Sequence, residues 1–398
     1  MSVITERVDI PVAVEPTPAL PTLPSDEERI SVASQWQLMW WRFRRHKIAM
    51  ASAVVVGLFY TVVLFADVFA YADPFAQDAQ RSLYPPQPVH FFDETGFHPF
   101  VYPIKGERDF TTFQRVYTED TSRKLYLTFF TKGFAYELLG FIPMDGHLIG
   151  LADAPTEGNL FIYGADLSGR DLFSRLMYST QTSLTIGLLG VTIGLILGVL
   201  LGGIAGYYGG GLVDSVIQRV IEILQSVPAI PLWMGLAAAV PRDWSVLQVY
   251  FAITIILAFL GGGGAGVASG WTALSRVVRG RILSLRNEDF VKAAELAGAT
   301  TPRIIFVHMV PLFMSHIIAA TTLAFPAMII SETALSFLGL GLRPPAMSWG
   351  VLLQQAQNIQ TVALSPWLMI PAVPVAIVIL AFNFLGDGLR DAADPYGV

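Results

Sequence analysis

The chain has 398 residues, 53% of them hydrophobic and only 14% charged, with no cysteine. Soluble domains carry about a quarter charged residues, so this composition points to lipid. The net charge of −6 offers no basic footprint for nucleic acid, and the missing thiol excludes disulfides, thiol catalysis and thiolate metal sites. His46, His90, His98, His147, His308 and His316 show no zinc-type spacing, and no GxxxxGK[ST] loop is present to hold a nucleotide in the Walker manner. No cofactor or metal is expected in this chain.

Residues 1–34 are polar, with closely spaced Pro11, Pro16, Pro18, Pro21 and Pro24, and read as a disordered cytoplasmic tail. The segment 35–74 follows. Trp36, Trp40 and Trp41 lead into Arg42, Arg44, Arg45 and Lys47, and then into an apolar run from Ile48 to Ala70. About 20 such residues cross a bilayer. Aromatics favour the headgroup zone, and dense Lys/Arg beside a first span favours the cytoplasmic side.

The segment 75–180 is too long for a structureless loop and reads as a folded extracytoplasmic insertion with the pre-span motif at its end. Within it KLYLTFF (124–130) alternates as a strand does. The rest, 181–390, reads as a membrane core of five further spans and a cytoplasmic loop, closed by a short tail at 391–398. Its apolar stretches fall near 182–206, 217–240, 246–268, 312–338 and 366–386. With the first span they make six transmembrane helices, an all-α membrane protein with both termini in the cytoplasm. The 269–311 connection carries Arg276, Arg279, Arg281, Arg286, Lys292 and Arg303, whereas 339–365 carries only Arg343. That asymmetry agrees with the count of spans.

Between the second and third spans, Gly206, Gly209, Gly210 and Gly211 allow a sharp turn. Asp214, Arg219 and Glu222 follow near the cytoplasmic end of the third span, and Arg219 and Glu222 at i, i+3 can pair. Interfacial anchoring is the plainer role for these ions. Pro228 and Pro231 interrupt the third span, either to line a wet cavity or to improve packing. The run Gly261–Gly264 suits close helix packing. Glu332 sits near the outer end of the fifth span, with Arg343 its expected partner.

The polar stretch Asn287–Pro311 is delimited by caps. Asn287 reads as an N-cap, Glu288 and Asp289 lie in the first turn, and Gly298 takes the C′ position. Phe290, Ala293, Ala294 and Ala297 recur at i, i+3, i+4 and i+7, one apolar face of a short helix. Thr301 with Pro302 reads as a second cap with proline at the first helical position. Such a helix either lies on the bilayer surface or is presented to a partner.

The same stretch resembles the EAA loop of ABC-importer permeases in Ala293, Ala294, Gly298 and Pro311, departing from it at Lys292, His308 and Val310. Four further motifs resemble the dipeptide/oligopeptide permease family: RFRRHK…YADP (42–74), YGADLSGRDLFSRLMYSTQTSL (163–184), AGYYGGGLVDSVIQRVIEILQSVPAIPL (205–232) and SETALSFLGLGLRPPAMSWG (331–350). FNFLGDGLRDAADP (382–395) completes the set, which is similar to the C-type permease subunit. The resemblance implies a type I ABC importer fold in a bacterial inner membrane. It further implies a homologous second permease, two ABC ATPase subunits that bind ATP and Mg, and an extracytoplasmic substrate-binding protein. Peptides or similar small solutes are the implied cargo, and 288–298 the implied docking element. Two other classes remain open on sequence. A self-sufficient ion-coupled transporter would work without ATP, and a membrane-anchored receptor or scaffold would bind through its insertion alone.

Overall fold

A computed structural model describes residues 35–94, 96–108, 115–152, 155–156, 158–241, 243–260 and 270–393. The expected tail at 1–34, the glycine run 261–264 and the last residues 394–398 lie outside the described residues. A short helix α1 (Gln35–Arg45) precedes the first span, α2 (Lys47–Leu64). His46 caps α2, its Nδ1 accepting from the Ala49 amide at 3.1 Å. One further turn, α3 (Ala66–Phe69), carries the chain out of the bundle.

The chain is mostly helical, as expected, but the segment between 90 and 151 is built of strands. The strands are β1 (His90–Asp93), β2 (Gly96–Val101), β3 (Ile104–Arg108), β4 (Arg115–Glu119), β5 (Leu125–Leu138) and β6 (Ile142–Leu151). One antiparallel sheet has the order β1-β2-β5-β6, and β3 pairs with β4 alone. The expected strand at 124–130 is the first half of β5. Aromatic and β-branched residues suit a pleated, half-buried surface. Val101, Leu125 and Leu151 bury against Tyr71, Ala72 and Leu160 over the end of the first span.

The helical body begins at α4 (Leu172–Tyr207), ten residues earlier than the apolar run predicts, because Asp171 caps it by accepting from the Ser174 amide at 2.6 Å. Its 36 residues rise about 54 Å, well beyond a hydrocarbon core of about 30 Å. Gly198, Gly202 and Gly206 form a stripe against α8 (Trp271–Leu285), where a Cβ on Gly202 would come within 2.5 Å of the Ser275 carbonyl oxygen. This small-residue seam lets the two backbones meet.

Helices α5 (Leu212–Ser226) and α6 (Ala229–Ala238) meet at 87°, so the expected third span is a broken pair. Helix α7 (Val246–Leu260) has 15 described residues, a rise of only about 22 Å. The second half of the expected fourth span lies outside the described residues. Beyond α8 come α9 (Asp289–Leu296) and α10 (Thr301–Arg303), which continues through a π turn (Ile304–Met309) and a 3₁₀ turn (Val310–Phe313) into α11 (Met314–Phe337). The short α12 (Trp349–Gln354) and α13 (Ile359–Leu364) precede α14 (Ala372–Ala393). Four helical stretches among the described residues are long and apolar enough to cross a membrane, five if the bent pair is one span. Of the six expected spans, the described residues thus show four or five: Pro228 lacks the amide needed to continue α5, and the fourth is described only over its first half.

The bundle has two distinct ends. Strands, α12 and α13 gather at one, where Trp367 donates to the Ala165 carbonyl and Gln355 to Asp166. The 209–211 turn and α9 gather at the other, where the Tyr207 hydroxyl donates to Glu295. A cluster of Phe43, Ala49 and Ala392 ties α1 to the end of α14.

Candidate functional site

Helix α9 starts one residue later than the cap pattern predicts. Glu288, with extended backbone, is the N-cap residue and makes no side-chain cap bond, leaving Asp289 in the first turn. The far end follows expectation. Ala297 closes the helix and Gly298 takes φ +79°, donating its amide to the Glu295 carbonyl at 2.9 Å. The return cap also shifts by one, with Thr300 as N-cap, Thr301 helical and Pro302 in the first turn. Pro311 lies in the 3₁₀ turn before α11, not on α9.

Of the four residues expected on one face, Phe290, Ala293 and Ala297 are exposed together, while Ala294 turns half-buried toward the core. The inward side is led by Val291, fully buried among Leu274, Ile282, Ile304 and Ile305. Burying such a side chain is worth about 1.5–3 kcal/mol, enough to orient a helix of two turns. Leu296, absent from the sequence-based set, is 91% exposed beside the outward face. Two turns carrying apolar residues on every side give the spacing no means of choosing between faces.

Polar contacts brace this loop from below. Asp214 and Arg279 form a two-pronged ion pair, with Nε at 2.5 Å from one carboxylate oxygen and Nη2 at 2.7 Å from the other. Asp214 also accepts from the Gly210 amide at 2.9 Å, and Arg286 donates to the Gly209 carbonyl at 2.9 Å. The left-handed residue of the turn is Gly210, at φ +83°. These bonds join α5, the glycine turn and α8 through Gly209 and Asp214. The Arg219–Glu222 pair forms as spaced, at 3.0 Å, on the exposed surface of α5. Such a pair contributes about 0–1 kcal/mol. Pro228 and Pro231 sit at the break between α5 and α6, apart from this assembly.

Glu332 does not pair with Arg343. It is fully buried and accepts from Ser336 Oγ at 2.8 Å and Ser183 Oγ at 3.1 Å. Hydroxyls thus satisfy this carboxylate from two helices, while Arg343 lies on a loop directed elsewhere. A second buried polar group forms where the strands meet α4. Asp166 takes the Arg170 guanidinium at 2.8 Å, the Arg170 and Ser168 amides at 3.0 and 2.8 Å, and Gln355 Nε2 at 3.2 Å. Arg175, fully buried, faces the same carboxylate at 3.6 Å. Beside it, Asp171 accepts from the Tyr71 hydroxyl at 2.7 Å. Burial pushes the Asp171 carboxyl up to about 6, against hydrogen bonds from Ser174 and Tyr71 that pull it down. Burial likewise drives the Tyr71 hydroxyl well above its ordinary range. The motif 163–184 is therefore a structural joint. No group of three or more metal-ligating side chains occurs among the described residues.

Comparison with known proteins places residues 194–396 in a family described as binding-protein-dependent transport system inner membrane component. Residues 34–86 match the N-terminal TM domain of oligopeptide transport permease C. The oligopeptide transport system permease protein OppC of Escherichia coli (strain K12) is 39% identical over 246 residues, 62% of this chain and 76% of that protein. The dipeptide transport system permease protein DppC of Bacillus subtilis (strain 168) is 37% identical over 241 residues, 58% of this chain and 68% of its own length. Among solved structures, the inward-facing MetNI methionine ABC transporter covers 55% of this chain at 16% identity and a TM-score of 0.40.

Proposed function

This chain belongs to the family of binding-protein-dependent transport system inner membrane components, in its oligopeptide/dipeptide permease branch, and from that premise we propose how it works. It is a multi-pass inner-membrane permease subunit of an ABC importer. It pairs with a homologous permease to form the path for peptides or similar small solutes, and receives them from an extracytoplasmic binding protein. Two ABC ATPase subunits bind the ATP and Mg, and this chain binds none. The α9 end is cytoplasmic. In support, Arg42, Arg44, Arg45 and Lys47 flank α2 at the termini, and Arg276, Arg279, Arg281, Arg286, Lys292 and Arg303 crowd α8 to α10.

One observation carries the coupling role: α9 exposes Phe290, Ala293, Leu296 and Ala297 while its other side is anchored through Val291 and Glu295. An exposed apolar face on a braced element is suited to docking. Closure of the ATPases on ATP pushes α9. The Val291 core and the Asp214–Arg279 brace pass that push to α4, α5 and α8 as rigid-body motion, switching the path between outward- and inward-facing.

The test is affinity purification from native membranes, with the co-purifying chains identified. Recovery of a Walker-type ATPase and a second multi-span permease supports the reading. Recovery of this chain alone, stable and monodisperse, with uptake independent of ATP, overturns it.

A further inference from the structure

We infer that the cavity between α6, α7 and the 338–348 loop is a subsite for an apolar solute that ends in a carboxylate, with Arg343 as its cation. The cavity holds about 290 Å³ and is lined by Ala237, Trp244, Val249, Ile253, Arg343 and Pro344 among others. Drug-sized ligands occupy pockets of roughly 300–1,000 Å³, so this one fits a single amino-acid-sized group rather than a whole oligopeptide. Its walls are aliphatic and aromatic, and Arg343 is the one charged residue lining it among the described residues.

Arg343 is half-buried, and among the described residues its guanidinium has neither an ion pair nor a hydrogen-bond partner. A cation at an apolar wall, partly withdrawn from water, favours an anion. The guanidinium fork matches a carboxylate in two parallel hydrogen bonds. One fork with no second cation beside it suits a monoanion better than a phosphate dianion.

The loop that presents Arg343 is held on both flanks by a single buried carboxylate. On one flank the Leu342 amide donates to Ser336 Oγ at 3.1 Å, and that hydroxyl donates to Glu332 at 2.8 Å. On the other the Trp349 amide donates to Ser183 Oγ at 3.1 Å, and that hydroxyl donates to Glu332 at 3.1 Å. The Trp349 indole is fixed in turn by Thr180 at 3.1 Å. Leu342 and Ala346 pack in the same cluster as Ala237 and Ile253, so the floor of the cavity and the loop form one body. Glu332 is thus a positioning residue, and Arg343 is placed in advance of its ligand.

The subsite rests on the permease reading only in taking the solute as cargo, and its binding is measured without ATP. The protein, purified with its co-purifying subunits in nanodiscs, is titrated with N-acetyl-leucine and with N-acetyl-leucinamide. Binding is followed by tryptophan fluorescence, with Trp244→Phe identifying the reporting indole. A charge-assisted hydrogen bond is worth enough that the acid binds about tenfold tighter than the amide. Arg343→Gln abolishes that preference, Arg343→Lys keeps part of it, and Val249→Trp weakens both probes by filling the cavity. Equal binding of acid and amide to the unaltered protein overturns the subsite, as does a preference that survives Arg343→Gln. ATP-driven uptake in the same preparation separates the two readings. Absent uptake with an Arg343-dependent preference sinks the importer reading alone, and intact uptake without the preference sinks the subsite alone.

Discussion

Inside the strand-bearing end of the bundle, Asp166, Arg170, Arg175 and Glu332 are buried against charged or hydroxyl groups of the same chain, whereas the outward face of α9 is apolar, with Phe290 and Leu296 exposed. The two ends therefore depend on opposite things. A buried charge network has to be complete, because each missing partner leaves a desolvated charge behind. An exposed apolar face contributes nothing to the fold and becomes favourable only when something covers it. The first end fixes a shape, and the second offers contact area. Substitutions should separate them, with large costs in stability at one end and costs in coupled transport alone at the other.

The largest effect is expected at Asp166. Asp166→Ala removes the acceptor of Arg170 and the counter-charge of Arg175, both buried. Breaking a buried pair by deleting one partner costs about 3–5 kcal/mol. The detergent-solubilised protein should lose that much in a denaturant or thermal melt, and a cost near zero would erase the contrast between the ends. Glu332→Leu comes next. It strips the acceptor from Ser183 and Ser336, at about 1–3 kcal/mol for each polar group left unsatisfied. Hydrogen exchange at the Leu342 and Trp349 amides should rise in this variant. Amides that stay protected would mean that packing alone holds the 338–348 loop.

How far these features can be read from sequence depends on separation along the chain. The Arg219–Glu222 pair and the turn at Gly298 were legible because helical geometry fixes neighbours three or four residues apart. The Asp214–Arg279 pair and the Ser183–Glu332 bond join different helices, and no local rule points across such a gap. Pairing Glu332 with Arg343 follows nearness in sequence, but a tight loop intervenes and Arg343 faces the cavity instead. Pro228 and Pro231 announce an interruption, yet no local rule gives its angle, which is 87°. Alternation in 124–130 revealed one strand. The partners β1, β2 and β6 are short or rich in glycine and proline, and their pairing is non-local. On α9, burial of Val291 decided which side faces the core, a tertiary outcome that eight residues cannot encode alone.

Gly298 lies between the extremes. Its φ of +79° disfavours any side chain with a Cβ, yet nothing stands within 4 Å of where that Cβ would lie. Gly298→Val therefore meets strain without a clash, about 1–2 kcal/mol. The chain should still insert and fold, as judged by monodispersity in detergent. ATP-driven uptake by the reconstituted complex should nonetheless fall, because the turn that sets the angle between α9 and α10 has changed. Normal transport by this variant would show that the turn is not part of the coupling path.

The smallest effect on stability is expected at Leu296, and there the comparison is sharpest. Leu296 is 91% exposed, so Leu296→Asp should leave the melting behaviour of the isolated chain within about 0.5 kcal/mol. If α9 docks on an ATPase, the same change places a charge in an interface core that excludes water. Losing one well-packed apolar contact of that kind commonly costs more than 1 kcal/mol of binding, and a buried unpaired charge costs more still, so coupled uptake should drop about tenfold or further. Ile359 provides the matched control. It is 84% exposed on α13, at the strand-bearing end, and Ile359→Asp should alter neither stability nor the association of the ATPase. Equal losses of ATPase association at 296 and 359 would mean that exposure rather than position is being read, and α9 would lose its claim to be the docking element. A loss confined to 296, with unchanged melting, would separate the apolar end from the buried one by function as well as by structure.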